Sequence, residues 1–268
     1  MRGTLFVVAT PIGNLEDITL RALRVLREVA VIAAEDTRRT AQLLARHAIR
    51  TPTTSLHEHN ETRKSPAILA RLEAGENVAL VSDAGNPTIS DPGSHLVRQA
   101  LDAGLRVEAV PGPSAVLAAL TISGMPTGSF SFLGFPPIRS TDRDKWFRRL
   151  SESDGTVVFF ESPHRIRRTL ADLQAAVGDV TIAIGRELTK VHEQLIKCPI
   201  SVALAGLESP KGEFTIVLEL GHMIDVGVPD QLASPGSRRQ ALSALARSYG
   251  ISSNDLYKAI VSARESGK

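Results

Sequence analysis

The stretch from Ser82 to Gly93 (Ser-Asp-Ala-Gly-Asn-Pro-Thr-Ile-Ser-Asp-Pro-Gly) packs two aspartates, two prolines and two glycines between an apolar run and a helical pattern. Small residues let a backbone approach a ligand, prolines hold a loop in one shape, and carboxylates bind hydroxyls or an ammonium. A rigid turn with Asp91 capping the next helix accounts for Asp91 but not for the loop's length, so a ligand loop is expected. Pro111-Gly112-Pro113-Ser114-Ala115 opens directly into a helical pattern, where free N–H groups or the Ser114 hydroxyl can hold a ligand's polar edge; capping by Ser114 is an equal alternative. In His57-Glu58-His59-Asn60-Glu61 the histidines are two apart and no His-Glu-x-x-His spacing occurs, so substrate contact or a solvated loop is expected there, and no metal. Phe159–Arg165 and Arg186–Lys190 each set an acid beside basic residues, as a ligand wall or as surface ion pairs. Neither a Gly-x-Gly-x-x-Gly after the first strand nor a Gly-Lys-Ser/Thr phosphate loop is present, which disfavours dinucleotide and ATP chemistry.

These loops need a scaffold, and the first half of the chain alternates short β-type runs with helical patterns. Strands are predicted at Thr4–Ala9, Val31–Ala34, Val78–Val81 and Arg106–Val110. Helices are predicted after Asp17 as cap (Leu20, Leu23, Leu26, Ala30 on one face), through Leu43 and Leu44, and over Ser65–Ala74, Ser94–Ala103 and Ser114–Ser123. Such alternation gives a mostly parallel sheet covered on both faces, with ligands at the carboxyl ends of its strands. After a break at Met125–Gly128, strands at Phe130–Gly134, Thr156–Phe160, Val180–Ile184 and Glu213–Glu219, with helices around Trp146 and Leu170, read as a second α/β lobe. The expected organisation is therefore two α/β lobes, 1–124 and 125–222, a linker over 223–236 and a small basic helical domain over 237–268. Arg238–Tyr249 and Asn254–Ala263 would supply the helices of that last part.

The 268 residues, 43% hydrophobic and 22% charged, have the composition of a soluble globular protein. A lone cysteine, Cys198, excludes an intramolecular disulfide and a Cys-rich zinc site. The apolar run Leu5–Ala9 is too short for a signal-peptide core or a bilayer span, so a cytoplasmic protein with no membrane partner is expected. Formal net charge is only +2, yet from Gln231 onward six Lys/Arg face two acids, a cationic tail suited to nucleic acid.

Taken in order, the motifs Ala9–Thr19, Ala34-Glu35-Asp36-Thr37-Arg38, His57–Glu61, Val81–Pro87, Pro111–Ala115, Phe160–Arg165 and Arg186–Lys190 resemble the bacterial ribosomal RNA small-subunit methyltransferase I family of the tetrapyrrole-methylase superfamily. The resemblance runs from about Thr4 to Leu220. It implies a two-lobed fold with S-adenosyl-L-methionine held in the cleft between lobes. It also implies methylation of a cytidine 2′-hydroxyl in the decoding region of 16S rRNA within the small ribosomal subunit, by a homodimer. Donor contacts carry over to Asp83, Ala84, Gly85, Asn86, Ile89, Ser114 and Ala115, with Pro11 from the first loop and Glu161, Leu188 and the segment from Gly212 to Thr215 from the second lobe. The family usually has a threonine where this chain has Asn86, whose amide supplies both a donor and an acceptor.

Methyl transfer is an in-line displacement at an activated sulfonium carbon, so the protein chiefly positions the acceptor and excludes water. A ribose hydroxyl is a weak nucleophile, and Glu35, Asp36, His57 and Lys190 are the groups expected to assist its loss of a proton. RNA contacts are expected from Arg38, Arg39, His59, Asn60, Arg165, Arg186, Arg238 and Arg239. Arg139, Arg143, Lys145, Arg167 and Arg168 are expected to extend the cationic surface. Two other readings stand beside this one: a methylase acting on a small tetrapyrrole, and a non-catalytic nucleic-acid-binding regulator that uses the C-terminal helix pair.

Overall fold

The computed structural model describes residues 1–207, 211–221, 243, 246, 252–254 and 256–258. The chain divides into two compact units, Met1–Gly221 and His222–Lys268.

Five strands, β1 (Thr4–Val8), β2 (Val31–Ala34), β3 (Thr53–Ser55), β4 (Val78–Val81) and β5 (Arg106–Val110), form a sheet in the order β3-β2-β4-β1-β5, every pair parallel. The unbroken apolar runs of β2 and β4 are buried along their whole length because helices cover both faces. On one face, α1 (Leu20–Glu28) and α2 (Thr37–Arg46) set Val25, Leu26, Leu43 and Leu44 against Val8, Ile32 and Ala79. On the other, α3 (Glu61–Glu73) and α4 (Ser94–Asp102) set Ile68, Leu72 and Leu96 against Leu5, Ala33 and Leu80.

Two helix starts differ from expectation. Thr19, not Asp17, caps α1: its hydroxyl accepts from the Ala22 N–H at 3.1 Å, while Asp17 ends a short 3-10 turn at Leu15–Asp17. Helix α3 begins at Glu61, four residues before the expected Ser65, and carries Pro66 inside it. That proline reads as a first-turn residue in sequence, but the Asn60–Glu61 turn has already opened the helix.

The second sheet has the order β6-β7-β10-β8-β9, from β6 (Phe130–Phe132), β7 (Gly155–Glu161), β8 (Thr181–Arg186), β9 (Gln194–Pro199) and β10 (Phe214–Leu220). Only β6 and β7 run parallel; β10 is antiparallel to both β7 and β8. Helices α6 (Ser140–Ser151), α7 (Ile166–Val177) and α8 (Ile200–Gly206) cover one face through Phe147, Leu150, Leu170 and Ala203. The opposite face belongs to α5 (Ala115–Ser123), whose Val116, Ala119 and Leu120 pack on Val158, Ala183 and Val217. Helix α5 therefore leaves the first sheet at β5 but packs on the second, and Ile12 and Leu188 join the same cluster. It is the hydrophobic joint between the lobes. Strand β9 and helix α8 are elements that no pattern in the sequence marks.

In the C-terminal unit residues 243, 246, 253–254 and 256–258 are helical, and the Ser253 hydroxyl donates to that of Ser243 at 3.4 Å. The expected linker Asp225–Pro235 and most of the two expected helices lie outside the described residues. Among the described residues no helix is long and apolar enough to cross a membrane.

Candidate functional site

All the loops singled out in the first half emerge at the carboxyl edge of the first sheet, because every strand there points the same way. Thr10, after β1, and Gly85, after β4, exchange backbone hydrogen bonds of 2.8 and 3.0 Å, and the Thr10 hydroxyl donates to the Ser82 carbonyl. Gly85 stands at φ +74°, where a side chain is strained. Asn86 donates its amide to the Pro113 carbonyl at 3.0 Å and so ties the loop after β4 to the loop after β5. Ser114 caps α5, its hydroxyl 3.4 Å from the Leu117 nitrogen, while Ser114 and Ala115 also face the cavity below; capping and ligand-facing positions coincide.

The cavity is shared by the two lobes and holds about 160 Å³. From the first lobe and α5 it takes Ala84, Gly85, Asn86, Ile89, Ser114 and Ala115, and from the second Leu188 and Thr215, all expected donor contacts. Pro11 and Asp83 line a neighbouring cleft instead, with Arg39, Thr40 and Ser82. Two other expected contacts turn elsewhere. Glu161 is fully buried, and its carboxylate accepts from the Ser162 N–H, from Arg165 and from the Thr169 hydroxyl. Gly212 lies against Glu187, where any Cβ would collide with that side chain.

Ile12, Ser90, Asp91, Val116, Phe160, Glu213 and Phe214 complete the lining; Glu213 and Phe214 fall in the expected donor segment, Ile12, Ser90, Asp91 and Phe160 in loops expected to meet a ligand, and Val116 carries no signal in the sequence. Phe160 is adjacent to the expected Glu161, and Phe132 and Phe135 pack edge-on or tilted against it with centroids 4.9 and 5.4 Å away. Asp91 does not cap α4: the N-cap is Gly93, at φ +115°, and the Leu96 N–H is met by Glu61 at 2.9 Å. Among the described residues no cluster of His, Cys, Asp and Glu can hold a metal.

Charge is concentrated beside the cavity. The Glu35 carboxylate accepts from the Asp83 N–H at 3.3 Å, and Asp83 in turn accepts from the Asp36 N–H at 2.9 Å and pairs with Arg39 at 3.5 Å. Burial, and then the Asp83 and Asp36 carboxylates, push Glu35 above the ordinary carboxylate range against the Asp83 N–H and Arg39. Asp36 is held at about 2 by hydrogen bonds from Arg38. Burial raises Asp91 to about 7, with Glu35 and Asp83 adding to the rise and the Ser82 hydroxyl opposing it.

Of the expected catalytic groups, Glu35 and Asp36 therefore meet through Asp83. Lys190 sits on the second lobe with Glu187 and Glu213 at 2.8 and 3.0 Å. Gly13 passes so close to Lys190 that a Cβ there would lie 2.5 Å from its Cγ. His57 is apart from the cavity lining, its ring 6.0 Å from that of His59.

The expected RNA contacts divide similarly. Arg38 and Arg39 are exposed, but each is paired with an aspartate, Asp36 and Asp83 respectively. Asn60 is buried and closes its own turn, accepting from the His57 N–H. Arg165 is bound to Glu161 and the Pro136 carbonyl, and Arg186 to Lys211 and Gln194. Arg143 corrects a surface expectation: it is buried, held by Asp172 at 2.8 Å and the Thr169 hydroxyl at 2.9 Å, where it cannot meet RNA. Arg167 is likewise occupied by the Leu204 and Leu207 carbonyls. Arg238 and Arg239 lie outside the described residues.

Residues 4–203 match the Tetrapyrrole (Corrin/Porphyrin) Methylases family. A Pseudomonas aeruginosa protein named ribosomal RNA small subunit methyltransferase I is 42% identical over 96% of this chain and 96% of its own length. The Thermotoga maritima protein of the same name is 46% identical over 81% of this chain and 98% of its own. The chain belongs to the ribosomal RNA small subunit methyltransferase I family, among the tetrapyrrole methylases. The fold agrees with a Thermus thermophilus uroporphyrin-III C-methyltransferase structure, complexed with S-adenosyl homocysteine, at a TM-score of 0.58, 19% identity, and coverage of 81% of this chain and 98% of that one.

Membership of this methyltransferase family implies a methyl donor, and the cavity's chemistry fits one. Ile12, Ile89, Val116 and Leu188 offer apolar walls to a flat heterocycle. Ala84, Gly85 and Ala115 leave backbone polar groups approachable, and the Asp91 and Glu213 carboxylates on the wall suit a group with positive charge.

Proposed function

We propose that the protein transfers a methyl group from S-adenosyl-L-methionine to the 2′-hydroxyl of a cytidine in the decoding region of 16S rRNA. The observation that carries this reading is the match, over nearly the whole of both chains, to proteins named ribosomal RNA small subunit methyltransferase I. The donor, when bound, supplies an electrophilic methyl carbon already activated by sulfonium charge. Ala84, Gly85, Asn86, Ile89, Ser114, Ala115, Leu188 and Thr215 hold it in the shared cavity, and α5 fixes the distance between the two walls. Pro11, Asp83 and Arg39 form the adjoining cleft, which we assign to the RNA strand beside the target nucleotide.

Glu35 and Asp36 orient the acceptor ribose through the Asp83 network, and Arg38 and Arg39 supply charge for its phosphates. Lys190, held between Glu187 and Glu213, braces the cavity wall. His57 and His59 lie farther along the same sheet edge, as a lateral RNA contact. The basic segment from residue 237 onward, with Arg238 and Arg239, adds to the cationic surface. The protein works as a homodimer in the cytoplasm, where small subunits are assembled.

Labelled donor supplied with small ribosomal subunits from cells lacking the protein tests this directly. Label on a cytidine ribose is the expected result. Label on a base, or none on subunits and naked rRNA despite measurable donor binding, would move the acceptor to another class.

A further inference from the structure

The loop from β6 to α6, residues 133–139, borders the donor cavity without lining it, and its backbone is fixed at three carbonyls. The Trp146 indole N–H donates to the Leu133 carbonyl at 3.0 Å, the Phe160 N–H to the Gly134 carbonyl at 2.9 Å, and Arg165 to the Pro136 carbonyl at 2.9 Å. Arg165 is itself held by the buried Glu161 carboxylate at 2.8 Å. Pro136 and Pro137 stiffen the segment further, each locking its own φ. Gly134, at φ +63°, sets the loop against the donor loop: its Cβ position lies 3.5 Å from the Ser90 hydroxyl oxygen, and Ser90 lines the cavity.

The braced loop presents an aromatic ring. Phe135 is 48% exposed, although Pro136 beside it is buried. Its ring tilts against that of Phe160 with centroids 5.4 Å apart, and Phe160 forms part of the cavity wall. The pair therefore continues the apolar wall outward from the cavity, where the lining residue Ile89 is also half exposed. A single exposed apolar side chain is ordinary and by itself means little. Phe135 differs because its backbone is immobilised and because it adjoins the place where a methyl group is delivered. Single-stranded RNA is held largely by stacking its bases on such rings, since every base has a π-face.

We propose that Phe135 is the platform on which the nucleobase of the acceptor nucleotide stacks. This rests on the function proposed above, in which the acceptor is a ribose of RNA. For in-line transfer the ribose oxygen must stand about 3–3.5 Å from the methyl carbon. A nucleotide in a flexible strand keeps no such position unless its base is held. With the base lying on Phe135, the nucleoside is fixed beside Phe160 while its ribose reaches the cavity. The ring moves no proton; it places the acceptor.

The test is single-turnover methyl transfer to unmodified small subunits, over a range of subunit concentrations, for the wild type, Phe135→Leu and Phe135→Tyr. Donor affinity, melting temperature and sedimentation are measured on each. Leucine keeps apolar bulk and removes the π-face, whereas tyrosine keeps the face. Phe135→Leu is expected to lower the rate at saturating subunits by roughly 5–100-fold, and Phe135→Tyr to stay within about threefold of the wild type. A leucine variant as fast as the wild type overturns the assignment, as does a tyrosine variant as slow as the leucine one. A leucine variant that binds subunits more weakly yet keeps the saturated rate places the platform under a flanking base and overturns it too. Donor affinity or melting temperature falling in step with the rate would make the ring a support for Phe160, and altered sedimentation would make it a contact between copies of the chain; either result overturns the stacking role. A wild type that binds donor but methylates no RNA removes the proposed function itself, whereas the other outcomes, read on a wild type that methylates RNA, strike this inference alone.

Discussion

Asn86 reaches from the loop after β4 to the Pro113 carbonyl at 3.0 Å, and this single amide joins two cavity loops across the end of β1. One neutral hydrogen bond contributes about 1 kcal/mol. Asn86→Ala is therefore expected to weaken S-adenosyl homocysteine binding by roughly fivefold or more, read by calorimetric titration. Unchanged affinity would show that the loops keep their places without it.

Gly85 combines φ +74° with a Cβ position 3.5 Å from Ile12, so a branched side chain meets both strain and the cavity wall. Gly85→Val is expected to lower donor affinity at least about tenfold, from a strain of roughly 1–2 kcal/mol and lost space. Gly178 is the control: its φ is +80° and nothing lies within 4 Å of its Cβ position. Gly178→Ala is expected to cost stability alone, with donor affinity intact.

Arg143 joins α6 to α7 through Asp172 and Thr169, and Thr169 passes the connection to Glu161 at 2.5 Å. Arg143→Ala leaves these partners short of a donor, at about 2 kcal/mol. Differential scanning calorimetry is expected to record a melting temperature lower by roughly 4–8 °C. RNA affinity, measured below the transition, is expected to stay the same; a selective loss of RNA binding would return Arg143 to the surface role its sequence context suggests.

Asp91 is raised to about 7 by burial, Glu35 and Asp83, whereas an unfolded aspartate ionises near 3.8. Between those values the native protein retains a proton that the unfolded chain has lost, so this group's contribution to stability falls as pH rises through the window and is constant above it. Asn does not titrate. The unfolding free energy of Asp91→Asn relative to wild type, read by denaturant titration, is thus expected to climb from pH 4.5 to pH 8 by on the order of 1–2 kcal/mol once partial exposure is discounted. A difference that does not vary with pH would contradict the buried charge.

Arg39 stands at the mouth of the cleft lined by Pro11 and Asp83 with its side chain largely exposed. Arg39→Ala is expected to weaken RNA binding and to reduce the slope of log affinity against log salt by about one, leaving donor affinity unchanged. An unchanged slope would place the phosphates elsewhere.

Much of the first lobe was legible in residue order alone. Val31–Ala34 and Val78–Val81 are short apolar runs bounded by polar residues and turns, and each became a fully buried parallel strand with the expected ends. The loops after them could be named as ligand loops because parallel strands deliver all their carboxyl ends to one edge. The second lobe was harder. In β9 the inner and outer positions are nearly all exposed or half-buried, so no alternation marks Gln194–Pro199; antiparallel pairing with β8 makes it a strand. Helix α8 is only seven residues long, too short for a period to show.

Sequence by itself determined most element types, the loop order and the family, because these depend on residues a few positions apart and on motifs read in line. Tertiary structure alone decided which side chains share a space. Helix α5 has apolar residues all round, so nothing in its own pattern could tell that it packs on the second sheet. Arg143 sits in a run of charged residues, and its burial comes from Thr169 and Asp172 on another helix. For Asp91 the sequence left a helix cap standing beside a ligand contact, because Thr88 and Ser90 give no sign of their left-handed backbone. Such outcomes depend on contacts made by residues far apart in the chain, and periodicity and propensity describe only near neighbours.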